Sequence, residues 1–563
     1  MPRIRSFAAL LVLFTLFTPT ATFVTAQRSA IDVYAITNAK IVTVSGLVIE
    51  RGTVVIRDGL IAGVGDKVNT PADARVIDGT GLTVYPGLFD ANTNLGLAAP
   101  SPAPTPAGAG GGFQQAQLRA ATLVSGPNST QPPGLQPETM AEDSIKPGGP
   151  EIEGARNAGI TTALTAPRTG IWMGQSALIN LAGDTPQQMI VKSPVAMHVG
   201  FSSLRTGNYP GSLMGVFSSL RQMLLDAQRY QKAQETYEHA PRGMRRPELD
   251  RSLAALIPVL EGKLPVVMYA DRQREIERAL DLAQEFKLRA IIAGGVEAAT
   301  VAERLRERDV PVLLSLNFPK RTTAAAPEAD PETMRTLRGR VEAQKTAAKL
   351  AAAKVRFAFE SGGLTNLADF RANIAKAIEN GLSHEDALRV VTIQPAEIFG
   401  VADRLGTIEV GKIANLTVTR GDIFDRNTRV TNVFIDGRPV ELRPAPAASS
   451  SGSSTSGPNA EEAHPNFGGT WTINLSINGR TLPGTLVLRQ EGGTIAGSIQ
   501  TEFGTSEFSG GTVTGNAFHV NFGATIQGQA VDLTMDATVQ GNEINGNVQS
   551  VLGNAIMTGS RQP

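Results

Sequence analysis

The sequence predicts an α/β chain. Its main body is a (β/α)8 barrel with a flanking composite β-sheet domain, and a small all-β barrel or sandwich follows at the C-terminus. Three observations lead there. Between Val266 and Leu314 short apolar runs alternate with helical spacing, the rhythm of parallel strands joined by crossover helices. On both flanks, Val33–Val84 and Ala414–Ile435, the chain instead shows short strands punctuated by Gly turns. The tail has few charges and many Gly, Thr and Asn residues.

Composition narrows the function. The 563 residues carry 52 Lys+Arg and 52 Asp+Glu, so the net charge is zero and there is no electrostatic case for nucleic acid as a partner. Aromatic residues make up only 5%, which argues against base-stacking platforms. There is no cysteine, so disulfides, thiolate catalysis and zinc–thiolate sites are excluded. Only five histidines are present, so a histidine-based metal site has few ligands to draw on.

In chain order, Arg3 and Arg5 precede an apolar run over Phe7–Phe17, and Val24-Thr25-Ala26 offers small residues for cleavage. Residues 1–26 read as a secretory signal peptide, with a membrane anchor as the alternative, and place the chain in the periplasm or outside the cell. No later stretch has about 18 apolar residues, so no membrane span is expected in the mature chain. Residues 31–85 read as short strands, with Arg57-Asp58-Gly59 as a hairpin turn, and 404–443 return to strands that complete the same sheet. Residues 86–403 read as the barrel. Within them Val266–Tyr269, Ala290–Ile292 and Val310–Leu314 are strands, Arg272–Phe286 is an amphipathic helix, and Ser383 caps a later one. No Gly-rich dinucleotide fingerprint favours a doubly wound sheet. Residues 444–463 form a flexible Ser/Pro/Gly linker, and 464–563 an all-β domain with recurring Gly-bounded strands. Gly469-Thr470-Trp471 is similar to the opening of lipocalin-like barrels, so ligand binding by the tail stands beside a stabilising or docking role.

Several segments together resemble one family. Val76–Gly96 (VIDGTGLTVYPGLFDANTNLG) resembles the start of the barrel in the amidohydrolase superfamily, with the flavour of imidazolonepropionase-like members. Gly406–Val418 (GTIEVGKIANLTV) resembles their return into the flanking sheet, and Thr392–Gly400 the helix before it. With Ala158–Thr162 and Leu264–Val267, the resemblance runs from about residue 31 to 443 and leaves out the tail. It implies hydrolysis of C–N bonds other than peptide bonds, with zinc or another divalent ion as the family norm.

In that family the first strand ends in His-x-His and binds the metal. The matching residues here are Asn92 and Asn94, and an amide oxygen is a poor zinc ligand. The strand-five and strand-six histidine positions read Tyr269 and Gly294, and the strand-eight Asp best matches Glu360. Lys192 and Lys263 lie in the barrel without motif support for a bridging role. His198 reads as a satisfied core histidine, His239 and His384 as solvent-exposed helix residues, and His464 and His519 belong to the linker edge and tail. No cofactor and no metal ligand is therefore expected. Glu360 is the candidate catalytic residue, as a general base at a strand mouth, against a structural carboxylate. Asn92, Asn94, Tyr269 and Gly294 are candidate pocket residues, or fillers that bond one another where a metal would be.

Three functional readings stand side by side: a catalytically impaired or non-catalytic amidohydrolase-like subunit beside an active paralogue, a metal-independent hydrolase using Glu360, and an extracellular ligand-binding protein. A small-molecule ligand remains open as a partner; nucleic acid does not.

Overall fold

A computed structural model describes residues 33–97, 131–132, 134–204, 209–319, 333–364, 366–442, 467–477, 480–491, 494–502, 504–514, 516–526, 529–550 and 553–562. Residues 1–26, read above as a signal peptide, and residues 444–463, read as a linker, lie outside them, as do residues 98–130 of the Pro/Gly-rich stretch.

The β-branched runs at the start of the chain pair into strands β1 (Tyr34–Ile41), β2 (Ile49–Arg57), β3 (Leu60–Gly65), β4 (Arg75–Asp78) and β5 (Thr83–Pro86). Asp58 and Gly59 both have positive φ, the geometry of a tight hairpin between β2 and β3. The barrel strands follow: β6 (Leu88–Thr93), β7 (Ile160–Thr165), β8 (Trp172–Gln175), β9 (Ala177–Asn180), β10 (Ile190–Lys192), β11 (Met197–Gly200), β12 (Val266–Ala270), β13 (Ala290–Gly294), β14 (Val312–Ser315) and β15 (Phe357–Glu360).

Strands β11 to β15 pair in parallel, and β6 pairs in parallel with β7. Helices make the crossovers. The helix Gln273–Phe286 buries Ile276, Ala279, Leu280, Ala283 and Phe286, the residues its spacing places on one face. Inside the barrel Phe89, Leu164, Leu178, Val267, Ile291, Leu313 and Ala358 belong to one buried cluster.

One wall departs from the regular plan of eight parallel strands. Only a short loop separates β7 from β8, too little chain for a crossover helix, so the chain turns back. β8 runs antiparallel to β11, and β9 antiparallel to β7. Ser176 joins the two, accepting from Val195 N and donating its N–H to Ala196 O, both at 2.9 Å. Trp172–Asn180 thus fills the third position of the barrel in reverse.

After the barrel the chain adds β16 (Leu416–Thr419), β17 (Val430–Ile435) and β18 (Arg438–Val440) to the first sheet, in the order β18-β17-β16-β5-β1-β2-β3 with β4 on β1. β16 lies antiparallel to β5. A buried amide cluster bonds this sheet to the second barrel strand. Asn415 Nδ2 donates to Asn180 Oδ1 (2.8 Å) and Thr162 Oγ1 (3.0 Å), its Oδ1 accepts from Asp436 N (2.9 Å), and Asn180 Nδ2 donates to Asp436 Oδ1 (2.7 Å).

The tail is a separate unit. Its strands β19 (Gly469–Ile477), β20 (Arg480–Glu491), β21 (Thr494–Thr501), β22 (Gly504–Thr514), β23 (Ala517–Ile526), β24 (Gln529–Gln540), β25 (Glu543–Ser550) and β26 (Gly553–Arg561) form a closed antiparallel barrel. Trp471, Ile473, Leu486, Met535 and Met557 are buried in its core, while Thr472, Asn474 and Ser476 face outward. Apolar inside and polar outside is the reverse of a membrane barrel. Among the described residues no helix is long and apolar enough to cross a membrane.

Two outcomes are expected. Asn415→Ala leaves Asn180 and the Asp436 amide short of partners, and should cost about 1–3 kcal/mol in chemical denaturation. Residues 464–563 expressed alone should give a cooperative thermal transition with β-sheet circular dichroism, since the barrel closes on itself; a chain without such a transition would place part of its core elsewhere.

Candidate functional site

The C-terminal ends of the parallel strands carry a buried polar cluster. A shift in the β6–β7 register between Asp90 and Thr93 breaks the simple in–out alternation, and Asp90, Ala91, Asn92 and Thr93 are all buried. Asn92 Nδ2 donates to Glu360 Oε2 at the end of β15. The Tyr269 hydroxyl, from β12, donates to Asn92 Oδ1 at 3.0 Å. Having given its proton to Asn92, that hydroxyl can only accept from His198 Nδ1, 3.1 Å away on β11. His198 is then the Nδ1–H tautomer. Its Nε2 is buried and has no hydrogen-bond partner among the described residues.

Arg168, in the loop after β7, closes over this chain. Its Nη2 donates to the Asn92 carbonyl at 3.0 Å, and its guanidinium lies 5.3 Å from the centre of the Tyr269 ring. Gly362 makes room for it: a Cβ there would stand 2.7 Å from Arg168 Nη2. Beside it, Asp90 accepts from Ser361 N (2.9 Å), from Ser361 Oγ and from Asn92 N (3.3 Å), which ties β6 to the segment following β15.

The electrostatics follow from burial. Desolvation pushes the Glu360 carboxyl up to about 8, against the opposing pull of Arg168 and the Asn92 hydrogen bond, with Asp90 and Asp271 adding to the rise. Asp90 is pushed up to about 6 by burial, held back by its Ser361 and Asn92 bonds. Burial, aided by Arg168, brings His198 down to about 3, so its ring is neutral. The Tyr269 hydroxyl is pushed up to about 12, mainly by burial.

Of the sequence candidates, Asn92, Tyr269 and Glu360 meet directly. Asn94 does not join them: β6 ends at Thr93, and Asn94 is exposed. Gly294 lines no pocket with a side chain. It has φ +87, and the Asp271 carboxylate occupies the space a Cβ would need. His198, read as a satisfied core residue, is instead half-satisfied and belongs to the bonded chain. His384 is exposed, as read, and also pairs through Nε2 with Asp422 Oδ2 at 2.6 Å and packs edge-on to Phe424. His239 is exposed, His519 bonds Asp536 across two tail strands, and His464 lies outside the described residues. Asp90, Ser361 and Arg168 went unrecognised in the sequence. Asp90 and Ser361 adjoin motif residues, whereas nothing local marks Arg168.

The donors present do not fit a zinc-type ion. Both ends of the Asn92 amide are spent on protein partners, Glu360 Oε2 is occupied by that amide, and one imidazole nitrogen remains. Among the described residues no group of three or more His, Asp or Glu side chains could hold a metal.

Comparison with known proteins supports the family resemblance. A family profile described as the amidohydrolase family matches residues 268–440. An amidohydrolase from Thermotoga maritima MSB8 is similar in structure at 27% identity and a TM-score of 0.60, over 73% of this chain and all of that one. The chain belongs to the amidohydrolase superfamily. More distant likenesses include a prolidase complexed with N-methylphosphonate-L-proline (17% identity, TM-score 0.44, 73% of this chain and 100% of that one). Another is molinate hydrolase (16%, TM-score 0.44, 76% and 99%). In this chain the side chains that meet at the strand mouths are an amide, a phenol, a carboxyl and one imidazole.

A raised carboxyl pKa has a definite consequence for stability. Glu360 ionises from 4.5 in an unfolded chain but only near 8 when folded, so its contribution is fully present below pH 4.5 and is lost as pH rises to about 8. The Asp90 contribution is lost sooner, by about pH 6. Urea unfolding should therefore show stability falling between pH 6 and 8. Glu360→Gln should flatten that slope and leave the protein more stable than the parent at pH 8 by at least about 1 kcal/mol. Equal slopes in the two proteins would place the titration on another group.

Proposed function

We propose that this amidohydrolase superfamily member is non-catalytic, and that its metal centre has been replaced by a self-bonded polar plug. The observation that supports this reading is the Asn92 amide, which bridges Tyr269 and Glu360 in the interior where the family resemblance calls for metal ligands. In the family's chemistry the metal generates the nucleophilic hydroxide, so exchanging its ligands removes the mechanism rather than tuning it. The superfamily's class of reaction is hydrolysis of C–N bonds other than peptide bonds. This chain keeps the scaffold of that reaction, and its role is to associate with an active paralogue or to hold a ligand. The leader-like residues 1–26 support export to the periplasm or beyond.

One feature favours a second reading. Glu360 is buried at a strand mouth with its carboxyl pushed up to about 8, where it can exchange a proton near neutral pH, as a metal-independent hydrolase would need.

Elemental analysis after dialysis, paired with a hydrolysis assay on N-acyl amino acids and cyclic ureides, separates these readings. The expected outcome is far less than one zinc, manganese or nickel ion per chain and no turnover. Metal-free turnover abolished by Glu360→Gln would establish the second reading. Stoichiometric metal that survives dialysis would overturn both, and would point to a site built around His198.

A further inference from the structure

The N-terminal end of β15, opposite the end that carries Glu360, opens onto a cleft of about 130 Å³ between the helices Met334–Ala352 and His384–Val390. Val355, Phe357 and Val390 give it an apolar floor, and all three are buried. Lys354, Asp386 and Gln394 supply its polar groups. The volume equals about four waters at ~30 Å³ each, well below the roughly 300–1,000 Å³ of pockets for drug-sized ligands. A ligand it encloses is therefore small.

Its polar groups are open in a definite way. Among the described residues the Lys354 ammonium has no partner, and Asp386 uses only Oδ2, which accepts from Ser383 Oγ at 2.6 Å. Lys354 and Asp386 do not pair with each other, so one cation and one anion stand apart around a single apolar floor. Arg356 also lines the cleft, but Asp309 Oδ1 engages it through Nε (3.1 Å) and Nη2 (2.8 Å). Gln394 Oε1 accepts from Phe357 N at 3.3 Å, which orients the amide and leaves Nε2 as the free donor. Asp386 repels a simple carboxylate, and Lys354 repels a simple amine. A small molecule that carries both charges beside a short aliphatic group meets all of these conditions.

We propose that this cleft binds a free α-amino acid with a small branched aliphatic side chain. The ligand carboxylate takes the Lys354 ammonium and the Gln394 amide, its own ammonium takes Asp386 Oδ1, and its side chain covers Val355, Phe357 and Val390. The cleft lies at the other end of β15 from the polar cluster, so the proposal does not depend on whether the barrel is catalytic.

Titration calorimetry of the full chain with L-valine, isovalerate and isobutylamine tests it. Saturable binding of L-valine is expected, with isovalerate (no ammonium) and isobutylamine (no carboxylate) each weaker by about tenfold or more. Lys354→Gly and Asp386→Asn should each weaken L-valine binding to a similar degree. Lys354 has φ +58, which glycine adopts readily, so that variant keeps the fold; Lys287→Gly, at a like position with φ +56 after another helix, should bind as the parent does. No L-valine binding, or isovalerate bound as tightly as L-valine, would overturn the proposal. So would undiminished binding in Lys354→Gly, which would move the ligand to another site such as the barrel mouth, or an equal loss in Lys287→Gly.

Discussion

The mouth of the barrel depends on how Asn92 uses its amide. One end accepts from Tyr269 and the other donates to Glu360, so strands that are distant in sequence are fastened through a single side chain. An amide can do this because it is donor and acceptor at once, which neither a carboxylate nor a histidine bound to a metal can match. The direction of every other bond follows from it: the phenol must accept from His198, and the His198 lone pair is left on Nε2. A buried network of this kind is stable only when nearly all its members are satisfied. The remaining open position is therefore the informative one.

Charge balance rests on Arg168. Two carboxyls, Asp90 and Glu360, sit buried near one guanidinium, and both are driven toward their neutral forms by the cost of desolvation. The glycine at 362 that admits Arg168 and the glycine at 294 over which Asp271 lies show the same economy. Small residues at strand ends let charged groups from neighbouring loops occupy space that larger side chains would fill.

Much of this was legible in the sequence, for local reasons. The rhythm around Val266–Leu314 marks parallel strands because helical and extended periodicities differ, and the match around Pro86–Asn94 aligns Asn92 with a functional position. What was not legible depended on distance or on small changes of register. The reversed wall Trp172–Asn180 follows from a loop too short for a crossover, which is hard to see when the strands themselves are short. Asn94 fell outside the cluster because β6 stops one residue earlier than an alternating strand would. Arg168 lies 76 positions from its acceptor Asn92, and His198 lies 71 positions from Tyr269; no local pattern joins such pairs.

The sheet shared by the two ends of the barrel segment has a bearing on how the protein is made. β5 finds its outer neighbour, β16, only after more than three hundred intervening residues have emerged. Until then the early strands can assemble among themselves, but β5 presents an open edge of unpaired backbone groups, a template for any other extended chain nearby. Long-range pairing of this sort forms slowly because a large loop must close first. The first strands made are thus among the last to be sealed, and a nascent chain must be shielded from its neighbours for most of its synthesis.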